Sequence, residues 1–357
     1  MPIIQFGVGN VGRALIQQVV DNRARHEQLG LRLQVVALCD HDGAVVQERG
    51  LADEQLEAIL RAKARGTRLR HLEWGYYQDD LTAIVDVAGT NEAIVVDVTA
   101  SDQTIPALLA ALERGYGLVL ANKLPLAGSY PLFQQLTAGR GTRYETTVGA
   151  GLPVVATLQT LLDTGDTVER IQGCLSGTVG FICARLEAGE PFSAAVREAR
   201  ARGYTEPDPR EDLAGYDAAR KALILARMLG YPLELEDVAV ERLYPPHMDA
   251  LSVEEFMSQV EALDAEYAER AAQVRDSGQR LRYVAEVVEG HCRVELQAVP
   301  PDSRLAHIQA SDSIVLFQTA RYHENPLTIS GRGAGPEVTA AGVLGDILAL
   351  AHRRENC

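Results

Sequence analysis

Three small groups of residues in this chain have the types and spacing for chemistry. The first is Gly7-Val8-Gly9-Asn10-Val11-Gly12, which follows the strand-like IIQFGV and opens a helical pattern. Glycines at these intervals allow a tight turn and a close backbone approach, and the free N–H groups at the helix start favour a pyrophosphate. The strand before and the helix after are the context that makes this short pattern a dinucleotide signature. Asp40 ends the next apolar run, LQVVALCD, where a carboxylate accepts ribose hydroxyls. It lies farther along than the usual ~20 residues because the first helix and its loop are long. Asp40-His41-Asp42 has no adjacent arginine for a 2′-phosphate, so the expectation leans slightly to NAD over NADP.

The second and third groups turn on lysine. Of 34 basic residues only Lys63, Lys123 and Lys221 are lysine, and the other 31 are arginine. Arginine holds its proton at neutral pH, whereas lysine can donate one, so each lysine invites a question. Lys63, in EAILRAKARG, reads as a solvated residue on an arginine-rich helix face. Lys123 follows the apolar strand GLVL in Ala121-Asn122-Lys123, and Thr99-Ala100-Ser101 follows AIVVDV; both lie where parallel sheets bind ligands. Asp217 and Lys221 stand four apart on one face of a helix start, after GYTEPDPREDL with its cluster of carboxylates. An exposed ion pair of that kind contributes about 0.3–0.5 kcal/mol, which gives little reason to place a scarce lysine there. A site for an ammonium-bearing substrate accounts for both the lysine and the carboxylates.

The elements that must position these groups form two patterns. Residues 1–150 alternate apolar strands with helices: a helix from about Val11 to Leu29, another within LADEQLEAILRAKARG, and further strands AIVVDVTAS and GLVLAN. This is the rhythm of a doubly wound α/β domain with a parallel sheet. Residues 151–335 read as a mixed α+β domain, with helices from Thr178 to Arg202 and from about Gly215 to Leu229. One or two surface helices follow between Ser252 and Ser277, then the strands RLRYVAEVV, CRVELQAV and IVLFQTA. The helix over 336–352, after the flexible GRGAG, is expected to return to the first domain.

With 357 residues and a formal charge of −15, the chain is ill suited to nonspecific binding of nucleic acid or an anionic membrane. No apolar run approaches the ~20 residues of a membrane span, and the start lacks a secretory pattern, so a cytoplasmic protein with small-molecule partners is expected. Five scattered cysteines, Cys39, Cys174, Cys183, Cys292 and Cys357, read as free thiols, and the eight histidines form no metal-ligand pair.

Taken in order, G-V-G-N-V-G, D-V-T-A-S, L-A-N-K-x-P-L-A, Y-E-T-T-V-G-A-G-L-P-V, L-S-G-T, G-Y-T-E-P-D-P-x-x-D-L-x-G-x-D-x-A-R-K and the late G-x-G-A-G-x-x-x-T-A-x-G-V-L-G-D resemble the homoserine dehydrogenases. The resemblance runs from Gly7 to Asp346 and leaves most of residues 230–310 without a sharp motif. It implies a Rossmann-type domain and reduction of aspartate 4-semialdehyde to homoserine with NAD or NADP, in the shared route to threonine, methionine and isoleucine. Lys123, Asp217 and Lys221 take the catalytic positions, and Glu206, Asp212, Tyr204, Thr178 and Gly177 the substrate-binding ones. Gly7, Gly9, Asn10, Val11, Gly12, Asp40, Thr99, Ser101, Lys123 and Gly335 match the cofactor site. Glu145, Val148, Ala150 and Leu152 match a sodium or potassium site built largely from carbonyl oxygens.

The resemblance also implies a homodimer through the second domain. Glu211 stands where many members carry aspartate and Phe181 where tyrosine is frequent. With neither a kinase nor a regulatory ligand-binding domain in this sequence, feedback by threonine is not expected. Two alternatives keep part of the pattern: an oxidoreductase for another small amino-bearing aldehyde, and a non-catalytic dinucleotide-binding sensor, which has no use for Lys123, Asp217 and Lys221 together.

Overall fold

A computed structural model describes residues 1–88, 92–139, 141–309 and 312–355, with side chains described through His352 except that of Ala88. Cys357 lies outside the described residues. The chain divides into two compact units, Met1–Pro153 with Gly335–Cys357, and Val154–Ala334.

Among the described residues the first unit is built on seven strands: β1 (Pro2–Phe6), β2 (Gln34–Cys39), β3 (Gly43–Val46), β4 (Gly75–Tyr77), β5 (Ile94–Asp97), β6 (Gly117–Leu120) and β7 (Thr142–Arg143). Their order is β4-β3-β2-β1-β5-β6-β7. The apolar runs IIQF, VVALC, IVVD and GLVL are buried on both faces, as parallel strands covered by helices on each side must be. The sheet is not wholly parallel, as the sequence suggested: β3 and β4 add an antiparallel edge beyond β2. Those strands are too short for their period to be distinguished from loop. β1 pairs with β2 on one side and β5 on the other, so Phe6, Cys39 and Asp97 come level at the carboxyl ends, at the point where the strand order reverses.

The first helix also differs from expectation. It runs Asn10–Asp21, pauses at Asn22, and resumes as a separate turn over Arg23–Gln28. The side chain of Asn22 donates to the Gln18 carbonyl, local competition of the kind that ends helices. The Pro336–Glu355 helix packs beside Asn10–Asp21, and its Ala340, Val343 and Ile347 join the core of the first unit.

In the second unit a mixed sheet runs through β8 (Val168–Cys174), β9 (Ala239–Val240), β10 (Arg280–Val288), β11 (His291–Val299), β12 (Asp312–Thr319) and β13 (Leu327–Arg332), in the order β13-β12-β8-β10-β11-β9. The helices Gly177–Glu187 and Tyr216–Met228 pack on β10, the second also on β11. The sequence reading missed β13, whose half-exposed residues carry little apolar signal. Among the described residues no helix is long and apolar enough to cross a membrane. Cys39, Cys174, Cys183 and Cys292 are free and buried, and burial pushes the last three thiols up to about 12.

Candidate active site

The glycine turn forms as its spacing predicts. Gly7 has φ +97°, a conformation that side chains rarely adopt, and its N–H donates to the Cys39 carbonyl. A Cβ on Gly12 would lie 2.3 Å from the Gly7 carbonyl oxygen, so only glycine lets the first helix approach β1 this closely. The turn borders a cavity of about 620 Å³, whose other walls include Arg13, Asp40, Lys63, Asp79, Thr99, Ser101 and Gln103. Gly7, Gly9, Asp40, Thr99 and Ser101 therefore meet in one place. Asn10, Val11, Gly12, Lys123 and Gly335 do not line it. Asn10 holds the Arg13 guanidinium at 2.7 Å, and the Gly335 carbonyl caps the last helix by accepting from the Thr339 N–H and hydroxyl.

Lys63 overturns the reading that it is merely solvated. Its side chain is 15% exposed, and Nζ lies 2.5 Å from Asp40 Oδ2, which also accepts the Leu69 N–H. Among the described residues Asp40 Oδ1 is buried without a hydrogen-bond partner. A buried acceptor left open beside a cavity of this size fits a ribose hydroxyl, and the turn, Arg13 and Lys63 fit a dinucleotide's phosphates and sugar. Sequence reasoning missed Arg13, Lys63, Asp79 and Gln103; the scarcity of lysine was the one signal for any of them.

Asp97 was also missed, and Asn122 was named only as the neighbour of Lys123. Asp97 is fully buried, with Oδ1 accepting the Thr99 N–H and hydroxyl and Oδ2 accepting the Thr104 hydroxyl and the Asn122 amide. Burial raises its pKa, opposed by those hydrogen bonds. Lys123 is the N-cap of the short Leu124–Ala127 helix.

Glu145, Val148, Ala150 and Leu152 share a turn around the Thr146–Gly149 helix, where Ala150 takes the left-handed φ of +54°. A Cβ on Gly342 would lie 2.3 Å from the Ala150 carbonyl oxygen, which brings the last helix hard against this turn. Asp346 of that helix accepts the Glu145 N–H at 2.9 Å, and burial raises its carboxyl to about 6. Among the described residues no cluster of His, Cys, Asp and Glu forms a metal cage.

In the second unit, Gly215 (φ +75°) caps the Tyr216–Met228 helix, and Asp217 falls in its first turn. One turn later Lys221 Nζ lies 2.7 Å from Asp217 Oδ2 and donates to the Leu175 carbonyl, also at 2.7 Å. The Lys221 side chain is 11% exposed against 47% for Asp217, so this is no surface pair: a buried ammonium is aimed by a carboxylate that reaches solvent. Ser176 caps the Gly177–Glu187 helix through the Val179 N–H, which brings Thr178 against the 204–212 segment. The Thr178 hydroxyl lies 2.6 Å from the Tyr204 carbonyl and 2.9 Å from Asp212 Oδ1, and Asp212 Oδ2 accepts the Glu206 N–H at 2.8 Å. Burial raises the Asp212 carboxyl above the usual range, against the pull of those hydrogen bonds. Glu206 and Tyr204 are exposed. The second unit thus gathers Lys221, Asp217, Asp212, Glu206, Thr178 and Tyr204.

Comparisons with known proteins cover most of the chain. Residues 153–348 match the family described as homoserine dehydrogenase, and residues 7–144 match its NAD-binding domain. A homoserine dehydrogenase of Schizosaccharomyces pombe is 34% identical, over 96% of this chain and 93% of that protein. The bifunctional aspartokinase/homoserine dehydrogenase of Haemophilus influenzae is 36% identical over 96% of this chain. The chain spans only about two fifths of the length of such bifunctional relatives, 42% in that case. A hyperthermophilic archaeal homoserine dehydrogenase solved with NADPH superposes with a TM-score of 0.76 at 26% identity, covering 99% of this chain and 98% of that one.

Proposed function

The chain belongs to the homoserine dehydrogenase family, and from that premise we propose that it interconverts L-aspartate 4-semialdehyde and L-homoserine. The observation that carries the reading is the buried Lys221 aimed by Asp217, in the same unit as Asp212 and Glu206. Carboxylates suit the substrate ammonium, and holding the aldehyde in place lowers the entropic part of the barrier. A bound nicotinamide cofactor supplies the hydride in reduction and accepts it in oxidation. An ammonium at the carbonyl oxygen stabilises the developing alkoxide and donates a proton to it. Lys221 and Lys123 are the two lysines for that task, with Asp217 orienting Lys221.

Gly7, Gly9, Arg13, Thr99 and Ser101 would hold the cofactor's phosphates and the ribose next to the nicotinamide, and Asp40 its other ribose. The open Asp40 Oδ1 supports NAD as the preferred form, while Lys63 supplies a charge that tolerates NADP. The reading includes a sodium or potassium ion at Glu145, Val148, Ala150 and Leu152, which the left-handed Ala150 turn supports. It also includes a cytoplasmic homodimer working in threonine, methionine and isoleucine biosynthesis. Four buried free thiols suit a reducing compartment, and among the described residues β13 and β9 are the outer strands of the second sheet, with edges open to pairing.

The test is absorbance of the reduced nicotinamide with L-homoserine and NAD⁺ or NADP⁺, with and without sodium or potassium. Reduction with homoserine and none with serine or threonine is expected. Tight cofactor binding without turnover under any condition overturns the reading.

A further inference from the structure

Asp97 is a fully buried carboxylate, and among the described residues no cation is paired with it in this structure. Its four hydrogen bonds all come from neutral donors: the Thr99 N–H and hydroxyl at 2.9 and 2.7 Å, the Thr104 hydroxyl at 2.7 Å and the Asn122 amide at 3.0 Å. Burying a charge without a counter-ion is costly, and stability alone would be served by an apolar side chain at the end of β5. What the carboxylate achieves is local. It ties the loop after β5 to the loop after β6, two segments that the sheet itself no longer joins beyond Asp97 and Leu120.

Asn122 completes the tie. Its amide nitrogen reaches Asp97 Oδ2, Thr99 Oγ1 at 3.2 Å and the Ser101 carbonyl at 2.7 Å, while its own oxygen accepts the Leu124 N–H at 3.1 Å. Its backbone N–H adds a bond to the Asp97 carbonyl. The residue before Lys123 and the residue after it are therefore both held by one side chain. The same network grips Thr99 and Ser101, which border the cavity. Networks of this kind, fully satisfied in a low-dielectric interior, rigidify what they touch.

We propose that Asp97 and Asn122 are positioning residues, a buried pair that fixes the backbone of Lys123 in register with the Thr99–Ser101 wall of the cofactor cavity. This rests on the reading of the chain as a homoserine dehydrogenase that uses Lys123. The pair itself touches neither substrate nor reacting atoms. Its effect is on where Lys123 stands, and a misplacement of about 1 Å at such a group costs on the order of a hundredfold in rate.

Two readouts test this in Asn122→Ala and in the nearly isosteric Asp97→Asn. Turnover of homoserine is expected to fall about tenfold or more in kcat with KM for homoserine within about twofold, because the carboxylates for the substrate belong to the other unit. Independently of activity, the rate at which acetic anhydride acylates Lys123 is followed by peptide mass spectrometry. With only three lysines in the chain, Lys63 and Lys221 serve as internal references. The Lys123 rate relative to those two is expected to change about threefold or more in both variants. Folded variants in which the relative Lys123 rate and kcat both match wild type overturn the proposal, as does a rise in KM that accounts for the whole loss. Should wild type itself not oxidise homoserine, the functional reading fails while the acylation comparison still decides the positioning claim. If Asn122→Ala does not fold, Asp97→Asn carries both readouts. If neither folds, Thr104→Val, which removes one neutral donor to Asp97, is read in the same two ways.

Discussion

Lys63 Nζ sits 2.5 Å from Asp40 Oδ2, in the wall of the cavity bordered by the glycine turn. The pair gives one position two charges. On the proposed reading, the carboxylate would accept the hydroxyls of an unmodified ribose, and the ammonium would meet a 2′-phosphate. Removing the cation in Lys63→Met leaves Asp40 to repel the phosphate, so kcat/KM with NADP⁺ is expected to fall about tenfold relative to NAD⁺, which is ~1.4 kcal/mol. Asp40→Asn is expected to move the ratio the other way. An unchanged ratio in both variants means that this pair does not read the ribose.

Lys221 donates to the Leu175 carbonyl and to Asp217, a geometry that leaves its ammonium one further N–H. On the proposed reading, that third donor would serve a substrate oxygen. Lys221→Met keeps the length and apolar stem of the side chain and should lower kcat by about 10²–10⁴, the range of general acid–base catalysis. Asp217→Asn should cost less, about tenfold, because it alters only the aim and charge balance of Lys221. Reduced-cofactor affinity, followed by fluorescence titration, is expected to stay near wild type in both. Full turnover in both variants would sink the mechanism.

Glu206 is exposed, and its N–H is anchored by Asp212. An exposed carboxylate on a fixed backbone suits capture of an ammonium from solvent. Glu206→Gln should therefore raise KM for homoserine with little change in kcat. It should also narrow the preference for homoserine over 4-hydroxybutyrate, which lacks the amino group, by about 1.5–3 kcal/mol, the contribution of a charge-assisted hydrogen bond. An undiminished preference would place ammonium recognition elsewhere.

How far the sequence foretold this arrangement depended on whether a residue's role was local. The Gly7–Gly12 turn and the Asp217–Lys221 spacing are each contained within one element boundary, so residue type and interval were enough. Lys63 and Asp40 come together from separate elements across the edge of a sheet, and neither the β3–β4 edge nor the pairing has a periodic signal. Asp97 looked like an ordinary strand end, because nothing in D-V-T-A-S tells how many donors converge on a carboxylate. The helix break at Asn22 was hidden by an unbroken run of helix-compatible residues. Contacts made through tertiary packing are what composition and period leave unread.

Asp212 gives the clearest pH dependence. Burial raises its carboxyl, and the Thr178 hydroxyl, with one proton, faces two acceptors, the Tyr204 carbonyl and Asp212 Oδ1. A proton on Asp212 satisfies all three groups, whereas the anion is what a substrate ammonium needs. With the folded pKa above the unfolded one, the folded protein binds this proton more tightly. The group costs nothing at a pH below the ordinary carboxylate value, and stability drains as the pH rises from there through the raised value. On the proposed reading, homoserine binding should run the opposite way, strengthening as the proton leaves. KM for homoserine should therefore climb on acidification at a pH above the usual carboxylate range near ~4. Asp212→Asn should lose that dependence, bind homoserine poorly at every pH, and be at least as stable as wild type at neutral pH in urea unfolding. Such a variant, stabler but unable to hold its substrate, is the expected mark of a carboxylate buried for binding. A KM that stays flat in wild type down to the ordinary carboxylate range would remove Asp212 from ammonium recognition.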